Sequence, residues 1–229
     1  MKKIAISQSN YIPWRGYFDL IASVDEFVIY DEMQYTKDDW RNRNKIKIKN
    51  ESLWLTVPVK VKGKLLQKIR DTEISGTLWK KKHWQSIKQN YTKAHFFKDL
   101  EKELEKIYCH ENHQYISKLN RRFIDLICGY LNIKTNIRDS FEFDLKGDKT
   151  RRIINICKEL NANEYISGPA AKVYIDPCDF EQNDLKLSFI DYSKYREYKQ
   201  LKGKFINNLS ILDLIFNCGP FSHKYMQYL

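Results

Sequence analysis

The sequence predicts an α/β protein, with a Rossmann-like, mostly parallel sheet, a basic hairpin and a central helical insertion. Three observations predict it. A strand, a short helix and a second strand fit into the first 31 residues, which makes a βαβ unit and two parallel strands. Strand and helix patterns alternate again after residue 150. Between them, residues 77–131 repeat apolar side chains at helical spacing.

Residues 3–7 form an apolar run, followed by the turn-like Asn10-Tyr11-Ile12-Pro13. Gly16–Ser23 predicts a short helix with Phe18, Ile21 and Ala22 on one side, and Glu26–Asp31 the next strand. Lys45-Ile46-Lys47-Ile48-Lys49 alternates as a half-exposed strand does. Leu53–Val59 is a mostly apolar strand, and Asn50-Glu51-Ser52 turns between the two. Pro58 lacks a ladder donor, so it belongs on an edge or at a bulge. Three helices follow: Trp79, His83, Ile87 and Tyr91; then Phe97, Leu100, Leu104 and Ile107; then a wide stripe from Tyr115 to Tyr130. No Gly/Pro/Ser-rich linker flanks this block, so residues 1–229 read as one domain, with 77–131 a helical insertion or subdomain. Residues 150–160 predict a helix, 164–166 and 185–190 strands, and Ser210 caps a last helix with Asp213 at the capping-box position.

With 229 residues, 42% of them hydrophobic and 30% charged, the chain can bury a real core and does not have a disordered composition. No apolar run reaches the roughly 18 residues of a membrane span. The amino terminus turns polar at once and does not read as a secretory signal. Five singly spaced cysteines fit neither a disulfide framework nor a metal cluster; they read as small core residues in a reducing, cytoplasmic setting. The net charge of +11 is uneven, because eleven basic and three acidic residues between Lys37 and Arg70 leave a net +8 there. Such a block points to a phosphate-bearing small molecule, a nucleic acid or a membrane surface, or only to a solvated lysine coat.

Ligands of open α/β sheets bind beyond the carboxyl ends of the strands, so the turns there are the candidate sites. The first turn holds Gln8, Asn10, Tyr11, Trp14 and Gly16, with Gly16 open to a phosphate at the helix start. The second follows the second strand and holds Asp31, Glu32, Gln34, Trp40, Arg41, Asn42, Arg43 and Asn44. Guanidinium groups grip phosphate bidentately, which makes Arg41 and Arg43 the anion clamps, unless they only tie down Asp38 and Asp39. Asp31 and Glu32 suit a substrate ammonium, Mg²⁺ or base chemistry. The third turn, Ser167-Gly168-Pro169 through Lys172 and Tyr174, offers backbone donors and one positive charge. Phosphate-loop, dinucleotide and nucleophile-elbow motifs are absent. The five histidines show no H-x-x-x-H pair, so no metal is expected. His83 reads as a core histidine or as a general base.

Lys3–Phe18, Trp40-Arg41-Asn42-Arg43-Asn44 and Trp54–Val59 together resemble the WbqC-like family of bacterial polysaccharide-biosynthesis loci. Tyr165–Gly168, Tyr174-Ile175-Asp176, Phe205 and Leu209–Asn217 resemble its carboxyl-terminal signatures. The family commonly opens its first motif with His-Gln-Pro, where this chain has Ser7-Gln8-Ser9, so no role of that histidine passes to Ser7. The resemblance implies work on O-antigen or capsule sugars, with an amino acid such as glycine joined to an amino sugar. The strand, Pro-x-x-Gly helix start and second strand are also similar to the HIGH-motif nucleotidyltransferase-like enzymes, which form adenylates. Here Trp14 and Tyr17 stand where that motif has its histidines, so the analogy supports the fold more than ATP use.

The resulting expectation is an enzyme that forms an amide on a dTDP- or UDP-linked amino sugar. Asp31, Glu32 or His83 would be the base, and an aromatic ring would stack on base or sugar. The acyl donor would be an aminoacyl-tRNA, an aminoacyl adenylate made with ATP and Mg²⁺, or an acyl-CoA. The alternatives are a nucleic-acid (tRNA) binding protein, and a non-catalytic scaffold docking on a glycan-assembly complex or on anionic lipid.

Overall fold

The computed structural model describes residues 1–173 and 175–229; Tyr174 of the third candidate turn lies outside them. Strands β1 (Lys3–Ser7), β2 (Glu26–Ile29), β5 (Asn136–Asp139), β6 (Glu164–Ser167) and β7 (Lys186–Phe189) form one sheet in the order β5-β2-β1-β6-β7. All four pairings are parallel, with Ile4 opposite Glu26 and Tyr165. The α/β, Rossmann-like expectation therefore holds. β1 pairs on both edges, and the winding reverses across it: β2 and β5 lie on one side, β6 and β7 on the other. That reversal leaves a crevice beyond the carboxyl end of β1, where such sheets bind ligands.

The period of two along β1 sorts its apolar run between two cores. Ala5 joins Phe18 and Ile21 of α1 (Arg15–Ala22), while Ile4 and Ile6 join Ile154, Ile156 and Phe180. The latter come from α5 (Lys149–Glu159) and the short α6 (Pro177–Glu181). The first core continues without a break into α2 (Leu78–Tyr91), α3 (Phe97–Glu105), α4 (Ile116–Tyr130) and α7 (Ile211–Cys218).

The hairpin β3 (Arg43–Ile48) and β4 (Glu51–Thr56) is a separate two-stranded sheet. Its turn is tighter than expected: Ile48 faces Glu51 directly, and Lys49 takes φ 48°. The expected alternation also fails at Lys47. Residues 200–204 cover that face, so Lys47 is buried with its Nζ donating to Gln200 Oε1 (2.5 Å) and to the Lys204 carbonyl.

Three further expectations need correction. Ser210 caps α7, its hydroxyl accepting from the Leu212 amide, but Asp213 closes no capping box. Its carboxylate instead accepts from the Tyr91 and Tyr198 hydroxyls at 2.8 and 2.7 Å and from Gln200. Of the five cysteines, Cys109 and Cys178 are exposed, because neither faces a packed layer. β5 and α6 were not expected: β5 has one apolar residue, and α6 is a single turn whose signal is confined to its start, Asp176 as cap and Pro177 after it.

Candidate functional site

The loops after β1 and β2 are zipped together where the sheet winding reverses. The Tyr30 amide donates to the Ser7 carbonyl, and the Tyr11 amide to that of Trp40. Between them lies Asp31, only 6% exposed. Its carboxylate accepts from the Ser9 amide at 2.8 Å and the Ser9 hydroxyl at 2.7 Å. Asn120 of α4 donates at 3.0 Å to that hydroxyl and at 2.9 Å to the Arg41 carbonyl. Burial pushes the Asp31 carboxyl above the ordinary carboxylate range; the Ser9 bonds and Arg41 pull it down, and Asp139 pushes it up.

Asp31 lines a cavity of about 290 Å³ between the carboxyl ends of β2 and β5. Glu32, Arg70, Arg121, Asp139 and Phe141 share the lining. Glu32 is paired with Lys68 at 2.5 Å and with Arg70, and Arg121 sits 3.5 Å from Asp139. The chamber therefore holds both signs of charge around one carboxylate with a raised proton affinity. Such a group accepts a proton more readily than a surface aspartate does.

A second cavity, of about 280 Å³, opens on the other flank of the β1 loop. Two indoles, Trp14 and Trp40, and three amides, Asn10, Asn44 and Asn208, line it with Pro13. No charged side chain lines it. Trp40 lies 5.4 Å from Trp54 between ring centroids, and Arg43 stacks 4.4 Å above Trp54. Flat aromatic faces with side-chain amides suit a neutral polar ring, such as a sugar or a nucleobase.

The loop between these cavities is tightly determined. Asn44 donates to the Tyr11 and Ile12 carbonyls, fixing Ile12 at φ 43°, where a β-branched residue is strained. Arg41 reaches under the same loop, its guanidinium donating to Gln8 Oε1 and Asn10 Oδ1 and lying 3.7 Å from Asp39.

Several expected site residues make contacts within the fold. Arg41 is spent on the loop and Arg43 is paired with Asp38 at 3.3 Å, which is the structural pairing that sequence left open. Gly16 leaves no room for phosphate. A Cβ there would sit 2.3 Å from the Trp14 indole, and the first turn of α1 is buried beneath that ring. Gln34 turns outward to donate to the Leu65 carbonyl, and Asn42 donates to that of Val57. Tyr11 is fully buried, its hydroxyl 2.6 Å from that of Tyr108 and 2.9 Å from His83 Nδ1.

His83 lines neither cavity. It packs against Trp79 and Tyr108, and burial lowers its pKa to about 4. The enclosed imidazole is held neutral, with its Nδ1 against the Tyr11 hydroxyl. Ser167 and Gly168 sit at the carboxyl end of β6, beside β1, and Lys172 lies over Phe189. They line neither cavity.

Part of the basic block is paired in three dimensions. Lys60 and Lys64 pair with Glu73, and Lys68 and Arg70 with Glu32, two carboxylates that lie outside the counted stretch. Sequence reasoning placed Ser9 in the first candidate turn but missed Arg121, Asn120, Asp139 and Asn208. Asn120 left a readable signal: it interrupts the apolar stripe of α4, where a buried amide needs partners.

No solved structure matches the chain. It is 51% identical to the uncharacterized protein Rv1507c of Mycobacterium tuberculosis over 228 residues, which is all of this chain and 99% of that protein. The model of the WbqC-like protein family matches residues 8–225, nearly the whole length, including both loops that build the two cavities. The chain therefore belongs to the WbqC-like protein family.

Proposed function

We propose that the protein joins an acyl or aminoacyl group, such as glycyl, to the amine of a nucleotide-linked amino sugar in polysaccharide biosynthesis. The observation that carries this reading is Asp31, a buried carboxylate with raised proton affinity facing a cavity rather than bulk water. A sugar amine is protonated at neutral pH and is no nucleophile until it loses a proton. Asp31 takes that proton, using a lone pair that the two Ser9 bonds leave free. The amine nitrogen then attacks the carbonyl carbon of the activated acyl donor. The new C–N bond forms as the bond to the leaving group breaks; that group departs with the electron pair, and the second proton shed by the nitrogen as it becomes an amide passes to the departing group or to water.

The phosphates of the nucleotide meet Lys118, which lines the Asp31 cavity and forms no ion pair among the described residues, in place of the engaged Arg41 and Arg43. The neutral ring rests between Trp14 and Trp40. Purified protein incubated with dTDP- or UDP-amino sugars and each donor class in turn (aminoacyl-tRNA, amino acid with ATP and Mg²⁺, acyl-CoA) tests the reading by mass spectrometry. The expected outcome is a product heavier by one acyl group with a single donor class. No mass gain with any pair overturns it.

A further inference from the structure

We infer that the carboxyl-end face of the sheet docks on an anionic lipid surface. Because all five strands are parallel, their carboxyl ends lie along one edge of the molecule, about 20 Å wide at the usual strand spacing. That edge carries large apolar side chains turned outward. Leu65 is 82% exposed and Leu66 78%, at the tip of the segment joining β4 back to the loop after β2. Phe141, beyond β5, and Val173, beyond β6, are also exposed.

The Leu65–Leu66 tip is built to be where it is. Gln34 donates to the Leu65 carbonyl, the Tyr35 amide to that of Gln67, and the Lys64 amide to that of Val61, across a turn with Gly63 at φ 73°. A fixed loop that points two adjacent leucines at water forgoes burial that the rest of the chain takes. Exposed lysines accompany it. Lys37, Lys62 and Lys172 are exposed in the segments beyond the strands' carboxyl ends and form no ion pair among the described residues. Apolar tips accompanied by lysines match the chemistry of a bilayer whose headgroups are acidic: the leucines enter the acyl boundary and the lysines stay at the phosphates. An acidic protein surface would explain the lysines but not the paired leucines. Among the described residues no helix is long and apolar enough to cross a membrane, and the contact inferred is peripheral. Phe141 lines the Asp31 cavity, so docking brings that cavity to the membrane surface. The docking itself does not depend on the amide-forming reading.

Sedimentation of the full chain with vesicles tests this. Vesicles of phosphatidylcholine alone are compared with vesicles containing about a third phosphatidylglycerol. The protein is expected to sediment with the anionic vesicles and to be released at about 0.5 M salt. The Leu65→Glu/Leu66→Glu variant, altered only at exposed positions, is expected to keep the melting temperature and to bind about tenfold or more weakly. Phe221→Ser, at an exposed position beside Pro220 on the opposite edge, is expected to bind as the parent does. No sedimentation with anionic vesicles at low salt overturns the inference, as does equal binding by the double variant or equal weakening by Phe221→Ser. So does a dimer in solution that only the double variant breaks, since a second copy would then cover the face.

Discussion

Ser9 gives both of its donors to one side chain: its amide and its hydroxyl reach the two oxygens of Asp31 at 2.8 and 2.7 Å. The bonds hold a carboxylate in a place where burial works against its charge. Ser9→Ala keeps the amide bond, removes the hydroxyl and leaves Asn120 without one acceptor. The expected results are a further rise of the Asp31 pKa, read by carbon-13 carboxyl titration, and a loss of about 1–3 kcal/mol in urea unfolding.

Gly16→Ala sets two effects against each other. Alanine is the better helix former by about 1 kcal/mol. Its Cβ, however, would lie 2.3 Å from the Trp14 ring, which is itself wedged against Tyr192 and Tyr195. Overpacking of a fixed ring costs about 1–3 kcal/mol, so the net effect is destabilising. Urea unfolding checks the sign, and Trp14 fluorescence reports the displaced ring.

Arg41→Lys separates an organising role from phosphate binding. A lysine carries the charge but has no fork to span Gln8 and Asn10. The expected loss is about 2–4 kcal/mol of stability, with weaker binding only as a consequence of a loosened loop. Unchanged unfolding with lost nucleotide-sugar affinity would return Arg41 to the role of anion clamp.

His83 makes stability depend on pH in a defined direction. Its folded pKa of about 4 lies below the ordinary 6.5, so the unfolded chain takes up a proton that the folded chain refuses. The stabilisation is complete above the ordinary value and is lost as pH falls through the window toward 4. Its size is about 3 kcal/mol by linkage. Buried Asp19, Asp31 and Asp213 have raised pKa values and slope the opposite way, so the test is the difference between parent and His83→Gln. Unfolding measured from pH 4 to 7 should show a flatter acid limb in the variant.

The sheet was legible wherever a strand carried its own apolar run, as in Ile4-Ala5-Ile6 and Phe27-Val28-Ile29. β5 was not legible, because Asn136-Ile137-Arg138-Asp139 is an edge strand that takes its conformation from pairing with β2. The loops of the site were legible as places, since strand, turn and helix punctuation marks carboxyl ends. The partners inside them were not. That Arg41 turns to Gln8 and Asn10, and that Asn120 reaches Ser9 across 111 positions, are tertiary facts without local spacing. The same reason explains the charge. Four basic residues between 37 and 70 read as free for an anion because their partners Glu32 and Glu73 lie outside the run.

Asp31→Asn is the most direct test of the central claim. The substitution keeps size and one acceptor for Ser9 but removes the base. The measurement is the rate of amide formation on the accepted amino sugar, taken beside the nucleotide sugar's affinity from the shift in melting temperature. The account predicts a rate lower by about 10²–10⁴ with affinity retained. A variant that forms the amide at the parent rate would contradict it.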